Sequence, residues 1–420
     1  MIYDAIVLGA GPAGATAAHL LARAGWAVAV VEKRTFPRRK VCGEFVSATN
    51  QPLLQRLGVA DAFLSLAGPA VQRVGLIAGK RTVTAAMPEA AISSGGWGRA
   101  LARECLDGLL LDAAAGAGAR IWQPWTAVRL ERNGYGHACT IATGDSIRQL
   151  RARVVIAACG SWERGPHPIP FDRTHRSSDL LGFKAHFENC SLPPDLMPLL
   201  VFPGGYGGMV RCDNGLVSFS CCIRRDALAQ IRQPDRQPAG AAVFEHIRAN
   251  CAGVEQYLNR VRVHRTWLSA GPIRPGIRCQ SVNDVYAIGN LAGEAHPLIA
   301  EGISMAMQSA WLLCQSLVAR GDIAKDHALD QTAADYRAAW RASFVSRIRA
   351  AAAFAKLTQQ PRLVAGTLLA LQRVPDLLTY GALLSGKVRQ VVPRAGSRKA
   401  ECSGQIRPQD NTGKPGQFGA

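Results

Sequence analysis

The sequence predicts an α/β fold joined to antiparallel β-structure: a Rossmann-like nucleotide-binding domain, an inserted antiparallel-sheet domain and C-terminal helices. Three observations predict it. The chain opens with an apolar run, a glycine-rich turn, an alanine-rich helical stretch and a second apolar run ending at an acid. Between residues 166 and 268 proline becomes frequent, and strand-like stretches are separated by P-P-D, P-G-G and D-N-G. From about residue 328 the pattern is helical.

The opening unit carries the most information. Ala5 to Leu8 is apolar and stops at Gly9, Gly11 and Gly14 complete G-x-G-x-x-G, helical sequence runs to Ala24, and Ala27 to Val31 leads into Glu32. Gly9 permits the turn, Gly11 lets the backbone approach a pyrophosphate, and Gly14 lets helix and strand pack closely. Pro12 and Ala13 lie in the same turn and count with the glycines as cofactor contacts. The helix start offers free N–H groups to phosphate oxygens. Glu32 sits where a carboxylate accepts from adenosine ribose hydroxyls, which favours FAD or NAD over NADP. A lone glycine motif is weak evidence, but here strand, glycines, helix, second strand and acid agree.

Next comes F-P-R-R-K-V-C-G-E-F-V-S, Phe36 to Ser47, which reads as a loop returning toward the cofactor. Arg38, Arg39 and Lys40 can approach pyrophosphate or substrate. Lys33 and Lys40 count among the cofactor contacts, and Cys42-Gly43 falls near the ring the dinucleotide carries. Residues 49 to 66 predict a short helix with Leu53, Leu54, Leu57 and Phe63 inward. Residues 71 to 93 read as strands outside the nucleotide domain, and Gly95-Gly96 breaks the chain. Arg99 to Ala117 predicts a helix with Leu101, Cys105, Leu109 and Ala113 on one face, stopped by Gly118. Arg103 and Asp107 are four apart and face one side, as a surface ion pair or with Arg103 beside the pyrophosphate. Residues 120 to 130, 137 to 143 and 148 to 158 form a small strand set. Val154 to Ala158 is apolar throughout, as suits the middle of a covered sheet.

Strands are predicted at 181 to 188, 196 to 202, 206 to 211 and 215 to 223, with the three turn sequences as hairpin signals and Asp213-Asn214-Gly215 the strongest. This sheet is expected to be the substrate wall, with Phe202 and Tyr206 as an aromatic edge over the cofactor. Arg232 to Arg236 reads as a loop and 241 to 257 as helix. Asp284 to Gly289 is a strand ending at glycine, and a loop through His296 and Glu301 reaches Gly302. A helix from Ile303 to Val318 follows, so Gly302 suggests a second backbone approach to a long ligand. Ala333 to Leu357 is helical. Leu363 to Leu384, interrupted by Pro375, carries Leu368, Leu369, Leu371 and Leu377 to cover the core, with a membrane surface as the other use. Beyond Pro393 the chain is rich in Gly, Pro, Ser and Gln and is expected to be disordered. Residues 1–70, 99–165 and 269–320 are thus assigned to the nucleotide domain. Residues 71–98 and 166–268 go to the substrate domain, 321–393 to the C-terminal helices and 394–420 to the tail.

Composition bounds the function. The chain has 420 residues, enough for two or three domains. Its 49 basic and 30 acidic residues give +19. The basic residues are spread out with no nucleic-acid motif, so acidic lipid, a phosphorylated ligand or an acidic carrier suits the charge better than DNA or RNA, and solvated arginine-rich faces suit it better still. No apolar run of transmembrane length and no signal-peptide pattern occurs. The 12 cysteines show no paired C-x-x-C, so no metal site is expected. A cytoplasmic protein with free thiols follows, with peripheral contact at the inner face of the membrane left open. Oligomeric state is not readable.

At these residues the chain resembles the FAD-dependent oxidoreductases of the para-hydroxybenzoate hydroxylase fold, and within them the geranylgeranyl reductase-like branch. Gly9 to Gly14 with Glu32 matches the first FAD motif. Phe36 to Gly43 matches F-P-R-x-K-x-C-G, and Arg103 to Asp107 matches R-x-x-x-D. Ile288-Gly289-Asn290 with Pro297 and Glu301-Gly302 matches the second FAD segment. The resemblance spans about residues 1 to 385 and implies non-covalent FAD. It places Arg103 near the pyrophosphate, Gly289 and Asn290 at the phosphate-ribityl side, and Gly302 and Ile303 at the pyrimidine end of the ring. There a helix start stabilises charge near N1 of reduced flavin. Three positions depart from the pattern. Asn290 stands for Asp and holds a ribityl hydroxyl without charge. Ala300 stands for Gly and narrows the backbone options. Cys159-Gly160 stands for the D-G of many hydroxylases, which argues against their handling of a nicotinamide donor. The G-W-x-W-x-I-P motif of flavin halogenases is missing.

The resemblance implies hydride exchange between flavin N5 and a hydrophobic, lipid-like or carrier-bound small molecule, with Cys42, His296 and Glu301 near the ring as acid or base. NAD(P)H visits transiently as reductant, since no second glycine motif of like quality exists. A monooxygenase acting on an aromatic or polyketide-like substrate, and a non-catalytic FAD-stabilised binding protein, are the alternatives.

Overall fold

The computed structural model describes residues 1–393 apart from 91–95, 135, 164, 171, 173, 233–236, 260 and 321–325, with backbone alone at 326, 327 and 361. The expected tail at 394–420, Gly95 and most of the Arg232–Arg236 loop lie outside the described residues.

Two sheets carry the chain. The first has a parallel centre. Strand Ile2–Leu8 pairs in parallel with Val28–Val31 on one side and with the inner end of Ser146–Ala157 on the other. Arg120–Trp122 and Val285–Ala287 extend it in parallel on the two flanks. The central residues Ile6, Val7, Val30, Val155 and Ile156 are fully buried, as a sheet covered on both faces requires. The outer half of Ser146–Ala157 turns back on Gly136–Thr143 in an antiparallel ladder. The alanine-rich helix Pro12–Arg23 packs between helices Arg103–Gly116 and Gly302–Val318. Its small residues Ala15, Ala17 and Ala18 are wholly buried, so the three helices approach closely.

The second sheet runs in the order Arg262–Val263, Leu180–Glu188, Val217–Arg224, Gly205–Arg211, Leu196–Phe202, Arg73–Ala78, Arg81–Ala86. Two expectations change here. Leu196–Phe202 pairs in parallel with Arg73–Ala78, so the sheet is mixed. Pro193-Pro194-Asp195 is a crossing and not a hairpin, because Leu180–Glu188 pairs with Val217–Arg224 and not with the strand that follows it. The P-G-G and D-N-G turns do close hairpins, the latter with Asn214 at φ 54°.

A third correction concerns the helix expected at Arg99–Ala117. Arg99–Ala100 is a strand paired with Phe45–Val46, and the helix is Arg103–Gly116. Its buried stripe is Leu106, Asp107, Leu110, Leu111 and Ala114, one residue on from the expected face. The strand pairing pulls Leu101 out of the helix and sets the rotation. At the C-terminal end, Asp326–Thr358 is one long helix, and Pro375 divides Pro361–Arg373 from Asp376–Leu384. Leu368 and Leu371 are buried, whereas Leu369 and Leu377 are exposed.

Candidate active site

One cavity runs between the two sheets. At one end lies the Gly9–Gly14 turn. Gly9 adopts φ +105°, a region glycine enters freely. The Pro12–Arg23 helix starts at Gly11 with no side-chain cap and no acid in its first turn. Its N–H groups therefore face the cavity, lined here by Gly9, Gly11, Pro12 and Ala13. Gly14 does not line it. A Cβ there would sit 1.8 Å from the Gly9 carbonyl oxygen, so Gly14 serves the helix–strand contact. Glu32 is buried and accepts from the N–H of Ala10 and of Arg34, both at 2.9 Å, with Arg38 at 3.4 Å.

Arg103 is buried and grips Asp107 through Nε at 2.6 Å and Nη2 at 2.7 Å. Burial opposes its charge, but Asp107 outweighs that and raises its pKa, so the guanidinium beside Gly11 stays cationic. Of the two readings of this pair, the surface one fails, because both side chains are interior. Lys40 lines the same end over the Trp162 ring. Burial, together with Arg103 and Arg38, lowers it to about 8. Lys33 is exposed, pairs with Glu163 at 3.2 Å and does not reach the cavity.

At the other end, helix Gly302–Val318 also starts without a cap or an acid in its first turn, and Gly302 and Ile303 line the cavity. Nothing lies within 4 Å of a Cβ added at Gly302. Gly289 and Asn290 line the middle. Asn290 Nδ2 donates to Glu294 at 2.9 Å, and Ser161 Oγ donates to the other oxygen at 2.9 Å. Burial raises the Glu294 pKa, with Arg278 opposing. An Asp at 290 would bring a second carboxylate against Glu294, which gives the amide here a physical reason.

The candidate acids and bases separate. His296 and Cys42 line the cavity. Tyr206 Oη and His296 Nδ1 lie 3.0 Å apart. Burial lowers His296 to about 4 and raises Tyr206 well above its ordinary value, so near neutrality both are uncharged and share one proton between them. Glu301, by contrast, turns away. Its carboxylate is buried against Lys387 Nζ at 3.2 Å and does not line the cavity. Phe202 also fails to reach it. Its cross-strand partner is Gly205 while Tyr206 pairs with Val201, so the two aromatics occupy opposite sheet faces. The Phe202 ring packs instead near His246 in the outer core.

A buried group was missed. Glu44, at φ 63°, meets Lys184 Nζ, His186 Nε2 at 2.7 Å and the Arg103 N–H at 2.8 Å. Burial alone would raise its pKa, but Lys184 and His186 hold it at about 2. Glu44, His186 and Cys212 bring ligand-type atoms within 4.8 Å of one another, yet both Glu44 oxygens already have partners from the chain. Polar residues at alternate positions of the strand L-L-G-F-K-A-H-F-E were the available signal.

The uncapped helix starts and Glu32 at one end, and the open space over Gly302 at the other, suit a long dinucleotide stretched between them. That places the protein by class among dinucleotide-binding proteins. Residues 3–345 match the FAD binding domain family, and the chain belongs to it. It is an FAD-dependent oxidoreductase.

Among curated relatives, the chain is 25% identical over 338 residues to conditioned medium factor receptor 1 of Dictyostelium discoideum, covering 76% of this chain and 63% of that protein. It is 30% identical to menaquinone reductase of Mycobacterium tuberculosis, covering 77% and 78% of the two chains. With digeranylgeranylglycerophospholipid reductase 1 of Methanococcoides burtonii it shares 26% identity over 82% and 81%. The fold matches the myxobacterial chondrochloren halogenase at TM-score 0.73 and 17% identity, over 93% and 94% of the chains. It matches a geranylgeranyl bacteriochlorophyll reductase-like protein of Thermoplasma acidophilum at TM-score 0.65 and 19% identity, over 91% and 99%. These likenesses bear out the para-hydroxybenzoate hydroxylase type of fold.

Proposed function

We propose that this protein is a reductase that saturates a double bond in an isoprenoid or quinone-type lipid. FAD, when bound, would supply the hydride, with NAD(P)H or another donor as the source of its electrons. The observation that carries the reading is the Tyr206–His296 pair on an otherwise apolar wall that includes Leu199, Ile273 and Leu298. Saturating a double bond needs one hydride and one proton. Tyr206 keeps its proton near neutrality and holds it at Oη, facing the cavity. His296, kept neutral by burial, accepts the Tyr206 O–H at Nδ1 and aims it, and water restores the proton once the phenol has given it up. Cys42 Sγ, on the loop beside Arg103, is a second proton carrier. Gly9, Gly11, Glu32, Lys40 and Arg103 would hold the adenosine and pyrophosphate, and Gly289, Asn290, Gly302 and Ile303 the flavin half. Two relatives of similar length are named for the reduction of isoprenoid lipids, which supports the substrate class.

The test is anaerobic. FAD-loaded protein, reduced chemically, is mixed with a short-chain menaquinone or a geranylgeranyl lipid while the flavin spectrum is followed. Reoxidation without oxygen, yielding a saturated product, supports the reading. Turnover that occurs only with oxygen and yields a hydroxylated or epoxidised product replaces it with a monooxygenase. No reduction by NADH, NADPH or substrate, and no reoxidation beyond that by oxygen alone, leaves a binding protein. Tyr206→Phe is expected to retain FAD and lose more than about tenfold in anaerobic reoxidation. Cys42→Ala is the parallel check, and unchanged turnover there removes the thiol from the proton path.

A further inference from the structure

The last two described helices place apolar side chains in water. In Pro361–Arg373 and Asp376–Leu384, with the bend between them, Leu363 is 49% exposed, Val374 49%, Leu377 46%, Tyr380 62% and Leu384 64%. Leu377, Tyr380 and Leu384 fall at i, i+3 and i+7, one stripe of a helix. The opposite side is fixed to the substrate-domain sheet. Leu368 and Leu371 pack with Ala78, Val83 and Val201. Ala382 packs with Met197 and Val210, and Ala300 lies against the same cluster. Val210 and Ala300 also line the cavity, so the exposed stripe lies one layer of side chains from the site.

We propose that these two helices form a docking face for an anionic lipid surface, from which a lipid-like substrate reaches the cavity. The substrate half of this statement rests on the function proposed above; the docking half does not. Charge selects the occupant. Between residues 356 and 393 the exposed bases are Lys356, Arg362, Arg373 and Arg389, against one acid, Asp376. Leucines, a tyrosine and flanking bases on short amphipathic helices are what the interface of an acidic membrane takes up. A second copy would bring a chain of +19 against its own kind and set bases against bases. An acidic protein would meet the bases but leave the leucine stripe without an apolar counterpart. Among the described residues no helix is long and apolar enough to cross a membrane, so the contact would lie on the surface.

The experiment uses the full chain loaded with FAD and sedimentation with vesicles of phosphatidylglycerol and phosphatidylethanolamine, or of phosphatidylcholine alone. Binding to the acidic vesicles is expected, falling steeply in 0.5 M salt (about threefold the screening of physiological buffer by concentration). Each exposed base near the surface contributes about fivefold. Leu377→Glu with Leu384→Glu should cut the bound fraction more than about tenfold. FAD absorbance and melting temperature report whether that variant folds, and Arg362→Gln with Arg373→Gln gives a second, milder test. Equal sedimentation of wild type and both variants, or none with any vesicle, overturns the proposal. A concentration-dependent dimer dissolved by the same changes, or binding to an acidic carrier protein in place of vesicles, also overturns it. Vesicle binding without turnover of any isoprenoid leaves docking standing and removes the substrate reading. Turnover in detergent without vesicle binding does the reverse.

Discussion

Ala300 shows how a single residue can carry strain beside a site. Its φ of 53° is left-handed, where a β-carbon crowds the following carbonyl and costs about 1–2 kcal/mol. Ala300→Gly should therefore raise stability by up to about 1 kcal/mol, after the entropy glycine regains on unfolding. A urea midpoint that falls would contradict this. Lys40 makes a different prediction. Lowered to about 8, it loses its charge as the pH rises through that value, and an anionic ligand must then restore the proton. FAD affinity is expected to weaken between pH 8 and about 10, and Lys40→Arg to flatten that loss, as read by flavin fluorescence titration. A flat profile in the unaltered protein would separate Lys40 from the phosphates. At this scale the turn residues were legible because Gly9, Gly11 and Glu32 belong to one local unit. Glu301 was not, because Lys387, far along the chain, decides where its carboxylate points. Phe202 failed on register, since it stands one place off from being the partner of Tyr206 and side chains on a strand alternate between faces.

The elements repeat the lesson with glycines. Gly14 and Gly302 both stand at helix starts, but for opposite reasons. Gly14→Ala would drive a methyl group into the Gly9 carbonyl and push the first helix off its strand, so loss of folding or of FAD is expected. Gly302→Ala has open space around its methyl group and should fold with unchanged melting temperature while weakening FAD binding. Near-equal effects of the two changes on melting would refute the distinction. The strand Leu180–Glu188 supplies the next case. Glu44 titrates at about 2 in the fold against an ordinary 4.5. Its folded pKa is depressed, so its contribution is complete above pH 4.5 and is lost as the pH falls toward 2. Glu44→Gln leaves Lys184 without its carboxylate and should cost about 3 kcal/mol at pH 7, a gap that narrows below pH 4.5. Denaturation curves at several pH values would show it. Strand periods were readable across the second sheet. The parallel seam between Leu196–Phe202 and Arg73–Ala78 was not, because local pattern says nothing about which distant strand lies alongside.

For the whole molecule, the cavity lies between a sheet with a parallel centre and a second, mixed sheet, so a long cofactor there would bridge both. FAD at a hundredfold over its dissociation constant should stabilise by about 2.7 kcal/mol and raise the melting temperature by several degrees. No shift on adding FAD to protein stripped of flavin would argue against a bridging ligand. The buried tether at Lys387 has a consequence of its own. Its ammonium donates to the Ile299 carbonyl at 2.9 Å and balances Glu301 at the threshold of helix Gly302–Val318. Lys387→Met would leave the Glu301 carboxylate buried without its countercharge, beneath the helix start proposed to meet the flavin. The yellow colour would then fade while the rest of the polypeptide stayed folded.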